Sequence, residues 1–113
     1  MNAIIKNLEQ AAPLPLAAQV NCQPGQIASK TLVQNSAVSV TLFAFDQGEE
    51  ISAHTSPGDA LVYVLEGRAE VLIENASHTV HAGEAIVMPA GRPHAVRAPE
   101  PFKMLLTVAF ATK

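Results

Sequence analysis

Hydrophobic and polar residues alternate along short stretches of the chain, with the two-residue period that is typical of β-strands. Residues 38–45 are the clearest example, because three aliphatic residues fall on one side of the extended chain while Ser39 and Thr41 fall on the other. From residue 48 onwards, glycine and proline recur at short intervals and divide the sequence into brief apolar segments. This pattern predicts an all-β domain built as a sandwich or a barrel.

Three of the predicted strands are apolar on both faces: residues 60–65, 85–88 and 104–110. A small antiparallel barrel turns one face of each strand to solvent, so a second apolar face needs a cover. The interpretation that we favour is a homodimer that buries one sheet. The alternatives are that the chain's own loops or its N-terminal segment cover these strands.

The N-terminal segment, residues 1–25, is predicted to be separable from a single barrel domain formed by residues 26–113. Residues 2–12 are expected to form a short helix or an extended arm that packs on the barrel or on a partner subunit. Pro13 and Pro15 end it, because proline cannot continue a helix.

Composition narrows the range of functions. A chain of 113 residues suits one domain, and 49% hydrophobic with 15% charged residues excludes a disordered protein. The formal charge of -3 and the scattered lysines and arginines argue against nucleic acid or an anionic membrane as a partner. No stretch approaches the roughly 20 apolar residues that span a bilayer.

The single cysteine, Cys22, has no partner for an internal disulfide, so the expected location is the cytoplasm.

Two glycine-bounded segments carry the candidate chemistry. Residues 48–67 read GEEISAHTSPGDALVYVLEG, with His54 near the centre, and residues 83–98 read GEAIVMPAGRPHAVRA, with His94 near the end. The first resembles the first motif of the cupin family, and the second resembles the second cupin motif at almost every position except the last, Ala98.

The resemblance covers residues 36–110 and implies a double-stranded β-helix, or jelly roll, with a pocket at the mouth of the barrel. In metal-binding cupins, the first motif provides two histidines and a glutamate as ligands, and the second motif provides one histidine. This chain has His54 and His94 at two of these positions. Ser56 stands in place of the other histidine, and Ala60 stands in place of the glutamate.

Two imidazoles alone would hold a divalent transition metal weakly, because such sites usually present three or four side-chain ligands. Asp59 is one residue from Ala60, and a regular strand would point it to the opposite face. A turn or bulge in residues 55–58 would re-aim it inward. A divalent transition metal is therefore the less favoured alternative to a site without a cofactor; its ligands would be His54 and His94, with Asp59 as a third ligand if such a bulge exists.

Two functions follow as hypotheses. The first is a pocket that binds a small organic molecule, lined by His54, Ser56, Asp59, Val62, Val64, Met88 and His94. The second is a small cupin enzyme, in which His54 or His94 transfers a proton in a metal-free isomerase or lyase reaction; a metal-dependent oxygenase is less favoured. Two further alternatives stay open: the histidines are ordinary polar residues at the pocket mouth, or the role is purely structural.

Overall fold

In a computed structural model that describes residues 3–111, the chain forms nine β-strands and one short 3₁₀ helix, Leu16–Gln19. The strands are β1 (Ile27–Gln34), β2 (Val38–Phe45), β3 (Glu50–His54), β4 (Asp59–Glu66), β5 (Arg68–Ile73), β6 (Ala76–His81), β7 (Ala85–Met88), β8 (His94–Arg97) and β9 (Phe102–Ala109). The predicted all-β class is confirmed. The segment 38–45, in which alternation is clearest, forms one complete strand.

The strands form two antiparallel sheets that pack face to face. The five-stranded sheet has the order β1-β2-β9-β4-β7, and the four-stranded sheet has the order β3-β8-β5-β6. Strands β3 and β4 are consecutive in the chain but lie in different sheets, as do β6 and β7 and also β8 and β9. The chain thus crosses repeatedly from one sheet to the other, which is the arrangement of the expected double-stranded β-helix.

The main core lies between the two sheets. Strand β4 shows why: Ala60, Val62 and Val64 are buried, while the residues between them are exposed. From the other strands of the same sheet, Phe45 and Phe102 stack with ring centroids 4.6 Å apart. Alternate apolar residues of both sheets therefore share one interior, as expected for sheets that pack face to face.

A second hydrophobic cluster lies on the outer face of the five-stranded sheet, under the N-terminal residues. Leu8, Leu16 and Val20 pack there against Leu42 and the other apolar side chains on that face of β2. Ser39 and Thr41 lie on the opposite face of β2, which consequently points into the barrel. Within residues 3–12 no helix forms, and this part of the chain is an irregular arm; Asn2 lies outside the described residues.

The outer face of the five-stranded sheet is not covered completely. Leu105 of β9 packs in the cluster under the arm. At this position the N-terminal segment, and not a second copy of the chain, covers the outer apolar face of β9. On β4 and β7, Leu61, Tyr63 and Val87 stay exposed, with 40%, 39% and 51% of their surface accessible. Within the described residues, no helix is long and apolar enough to cross a membrane.

Candidate functional site

A cavity of about 220 Å³ opens at one end of the barrel, where four strand ends meet. His54 ends β3, Met88 ends β7, His94 begins β8, and Ala60 lies at the start of β4. Eight of the lining side chains are apolar, and three are polar: those of His54, Ser56 and His94. The cavity is thus a mostly apolar space with its polar groups grouped in one region, as small-molecule sites usually are.

A bulge in β3 brings the two histidines together. Ile51 pairs with Val96, but His54 pairs with His94, so β3 advances by three residues while β8 advances by two. The extra residue reverses the alternation of β3 after Ile51, and as a result Ile51 and His54 both line the cavity. The two imidazole rings meet edge to face, with centroids 4.6 Å apart and planes at 69°.

Backbone carbonyls fix the tautomer of both histidines. The Nδ1 of His54 lies 2.8 Å from the carbonyl oxygen of Ser52, and the Nδ1 of His94 lies 3.1 Å from that of Arg92. A carbonyl can only accept a hydrogen bond, so each neutral ring carries its proton on Nδ1. Each Nε2 then carries a lone pair and is available to an occupant of the cavity.

The two rings differ in burial. His94 is only 3% exposed, whereas His54 is an exposed residue at the rim. Burial lowers the pKa of His94 below its usual value of 6.5, a hydrogen bond to the carbonyl of Arg92 opposes this shift, and the nearby His54 adds to it. His94 is therefore a neutral imidazole at pH 7.

Close packing of Gly58 holds the loop that presents Ser56. A Cβ atom at Gly58 would lie 2.5 Å from the carbonyl oxygen of Ala109, so any other residue would push the loop away from β9. The hydroxyl of Ser56 accepts a hydrogen bond of 3.2 Å from the N–H of Gly58, and the N–H of Gly91 donates to the Ser56 carbonyl at 2.9 Å. Within residues 3–111, no hydrogen bond joins Ser56 to either histidine.

Of the residues expected in the pocket, His54, Ser56, Met88 and His94 line the cavity. Asp59 does not, and its placement there is corrected. Its side chain points to the outer face of β4, where it accepts a 2.8 Å hydrogen bond from the N–H of Ala90. The bulge lies in β3, before His54, and not in the loop that would have re-aimed Asp59.

Val62 and Val64 are also corrected as wall residues. Both point inward, but both are completely buried in the core between the sheets and do not line the cavity. The walls that sequence reasoning missed come from strands β2, β3, β8 and β9, for example Phe43 and Leu106. Their alternation was visible, but the sequence did not indicate which face of each strand would turn inward.

The donor atoms at the cavity do not fit the divalent metal site that the family resemblance implies. His54 and His94 supply two imidazoles, Ser56 and Ala60 replace the other two ligands, and Asp59 faces away. Within the part of the chain that the structure describes, no group of three or more His, Cys, Asp or Glu side chains is arranged to hold a metal ion. Divalent metal binding by His54 and His94 stays a prediction.

A second depression, on the outer face of the four-stranded sheet, has a different character. It is lined by Glu50, Glu70 and Arg97, among others. The guanidinium of Arg97 pairs with Glu50 at 3.0 Å and with Glu70 at 3.4 Å. Because its charge is already compensated, this arginine is poorly suited to capture an anion, and we assign no site there.

Comparison with known proteins agrees with the architecture. The family model described as "Cupin domain" matches residues 41–109. The chain is similar to the SPY1581 protein of unknown function from Streptococcus pyogenes, at 44% identity over 99% of this chain and 98% of that chain, with a TM-score of 0.96. No curated protein is similar enough to this chain to be matched.

Two further solved structures extend the comparison. A cupin superfamily protein, DSY2733 from Desulfitobacterium hafniense, is 32% identical over 96% of this chain and 100% of that chain, with a TM-score of 0.91. KdgF from a Halomonas species is 25% identical over 80% of this chain and 84% of that chain, with a TM-score of 0.70.

Proposed function

The chain belongs to the cupin family, and on this premise we propose that it binds a small organic molecule in the cavity at the mouth of the barrel. The observation that carries the proposal is the pairing of an apolar cavity with two imidazoles whose Nε2 atoms are free to accept hydrogen bonds. Apolar walls provide the free energy of binding, and a few placed polar groups provide orientation.

The shape and polarity of the cavity indicate what kind of ligand fits. Its volume of about 220 Å³ is below the roughly 300–1,000 Å³ of sites for drug-sized molecules, so the ligand is small. His54 and His94 offer acceptors, and the hydroxyl of Ser56 offers a donor. The best match is a compact apolar body with a hydroxyl or N–H group that faces the histidines.

The alternative proposal is a small cupin enzyme that transfers a proton without a metal. His94 favours it, because a buried neutral imidazole with a free Nε2 can accept a proton from a bound substrate. A metal-dependent oxygenase is disfavoured by the loss of the carboxylate and of one histidine from the ligand set. The family hosts many reactions, so the fold does not choose among them.

A fragment screen by NMR tests binding directly. We expect small apolar fragments that carry a hydroxyl or amine group to shift the NMR signals of residues that line the cavity. The substitutions His54→Ala and His94→Ala should each weaken the binding of these fragments. His81→Ala is the matched control, because His81 is exposed on the outer face of the four-stranded sheet, away from the cavity. Fragments that bind equally well to all three variants would contradict the proposal. Turnover of a bound fragment, lost in His94→Ala, would favour the enzyme.

The exposed apolar surface on β4 and β7 supports a second copy of the chain as the partner. The central outward side chains there are those of Leu61, Tyr63, Ala85 and Val87, all of which are uncharged, and the outward carboxylate of Asp59 lies at the start of β4. A two-fold axis places such a patch against itself, and the lack of charge avoids like-charge repulsion at its centre. The homodimer is therefore part of the proposal, and the cytoplasmic location stays a prediction from the sequence.

A further inference from the structure

Two loops cross between the sheets at the end of the barrel where the cavity opens. The first loop, residues 55–58, leads from β3 in the four-stranded sheet to β4 in the five-stranded sheet, and the second loop, residues 89–93, leads from β7 back to β8. Ser56 lies in the first loop, and the second loop lies between Met88 and His94; all three residues line the cavity. The placement of the two loops relative to each other therefore shapes the cavity.

The side chain of Asp59 joins the two loops just beyond the last pair of β4 with β7, which is Ala60 with Met88. A continued antiparallel register would pair Ala90 with Gly58. Instead, the N–H of Ala90 donates a 2.8 Å hydrogen bond to the carboxylate of Asp59. The carboxylate thus provides the acceptor for the first N–H group of the second loop.

Backbone hydrogen bonds hold the second loop as well. The N–H of Gly91 donates to the carbonyl of Ser56 at 2.9 Å, and Gly91 has a φ of +76°, a left-handed conformation that glycine adopts without strain. At the other end of the loop, the N–H of Glu74 donates to the carbonyl of Pro93 at 2.8 Å. The second loop is therefore held at both ends, and Asp59 makes the side-chain contact at the end next to β7.

The carboxylate of Asp59 is free for this contact. It takes part in none of the ion pairs within residues 3–111, and it points to the outer face of β4. An ionised carboxylate makes shorter and stronger hydrogen bonds with an N–H group than a neutral carbonyl does. Asp59 can therefore act on the cavity through the second loop, without touching a ligand.

We propose that Asp59 is a positioning residue for the cavity: its carboxylate holds the second loop against the first and so fixes His94 relative to Ser56. The binding-competent arrangement is the one in which the hydrogen bond from Ala90 is formed. Loss of this bond lowers the fraction of molecules in that arrangement, and the apparent affinity falls by the same factor. The inference rests on the proposed function, because it concerns the same cavity.

The first test is an NMR titration of the full chain with benzyl alcohol, a compact apolar molecule with one hydroxyl group. Asp59→Ala removes the acceptor, and we expect it to weaken binding by about two- to tenfold, the fold-change that corresponds to one hydrogen bond of ordinary net strength. Asp59→Asn keeps an oxygen that can accept the same hydrogen bond and should bind the probe like the wild type.

Asp46→Ala is the matched control. The carboxylate of Asp46 accepts a 2.7 Å hydrogen bond from the N–H of Gly25, so this variant also loses a carboxylate that holds a backbone N–H group. Asp46 precedes β3, whereas His54 ends it, so the control lies at the opposite end of this strand from the cavity. Asp46→Ala should lower the stability in urea unfolding and leave the affinity for benzyl alcohol unchanged.

The second test needs no ligand. In the ligand-free protein, Asp59→Ala should speed the hydrogen exchange of the Ala90 and Gly91 amides. It should also shift the ring signals of His94 in NMR spectra, and Asp59→Asn should restore them. A role in stability alone would lower the unfolding free energy without moving these signals, as expected for Asp46→Ala.

The two tests separate this inference from the proposed function. Unchanged His94 signals in Asp59→Ala, equal effects of Asp59→Ala and Asp46→Ala on the affinity, or a failure of Asp59→Asn to restore it would each overturn the positioning role. A wild-type protein that binds no fragment would instead refute the proposed function, and shifted His94 signals in Asp59→Ala would still support the positioning of the second loop.

Discussion

His54 and His94 are direct partners across β3 and β8 only because β3 contains one extra residue between Ile51 and His54. In an unbroken register, Ile51 opposite Val96 would place Ala53 opposite His94, and His54 would point away from the cavity. The bulge therefore turns a single histidine into a pair with rings 4.6 Å apart. Bulges are common at the rims of barrels, where they re-aim a side chain.

Deletion of Ala53 should remove the bulge and keep this pairing. In the shortened β3, the regular register that starts with Ile51 opposite Val96 places His54 opposite His94, on the same face as Ile51. We therefore expect the deletion variant to bind fragments like the wild type, whereas His54→Ala binds them more weakly. NMR titration measures the binding, and circular dichroism checks that the fold is retained. Loss of fragment binding in the deletion variant would show that the site needs the bulge itself and not only a histidine opposite His94.

Gly58→Ala should destabilise the protein. The added methyl group would lie 2.5 Å from the Ala109 carbonyl oxygen and 2.9 Å from a methyl group of Val108, so either the loop or β9 must shift. Overpacking of this kind typically costs about 1–3 kcal/mol of unfolding free energy. Urea unfolding measures it, and Thr55→Ala, an exposed position in the same loop, is the control. Equal stability of the two variants would mean that the loop yields freely.

The stability of the metal-free protein should fall when the pH drops below about 6.5. Burial lowers the pKa of His94 in the folded state, so the unfolded chain takes up the proton first. Well above pH 6.5 the imidazole is neutral in both states, and the lowered pKa of the folded state costs no stability. As the pH falls below this value, protonation favours the unfolded chain. His94→Gln should therefore lose less stability than the wild type between pH 7 and pH 5, as measured by denaturant unfolding at each pH. Parallel curves for the two proteins would rule out His94 as the cause.

Light scattering at micromolar concentration tests the homodimer. We expect a dimer for the wild type and a monomer for Tyr63→Glu, because this substitution places a charge at the centre of the uncovered apolar surface. Thr79→Glu introduces the same charge on the outer face of the other sheet and should leave the dimer intact. A monomeric wild type would leave Leu61, Tyr63 and Val87 as ordinary exposed residues.

The sequence was sufficient for the fold. Alternation and turn residues predicted an all-β sandwich or barrel, because strand and turn preferences are local and can be read from a single chain. The double-stranded β-helix and the interest in His54 and His94 came from the resemblance of the two glycine-bounded segments to the cupin motifs.

The sequence was not sufficient for the detailed lining of the cavity. Val62 and Val64 have the correct orientation, but their depth depends on how closely the opposite sheet packs, which no local pattern records. The same holds for the bulge in β3, because an extra residue is defined only relative to the partner strand. For Asp59, the simple rule of alternation was right and the postulated exception was wrong.

The N-terminal arm changes where the boundary of this domain should be drawn. The family model begins at residue 41, in the middle of β2, and so omits the arm and all of β1. Leu8, Leu16 and Val20 nevertheless cover the apolar side of β2, and the side chain of Lys103 on β9 donates a 2.8 Å hydrogen bond to the carbonyl of Ala17. A fragment cut to the limits of the shared family pattern would expose this hydrophobic surface to water. The region by which relatives are recognised is therefore smaller than the region whose burial keeps the protein folded.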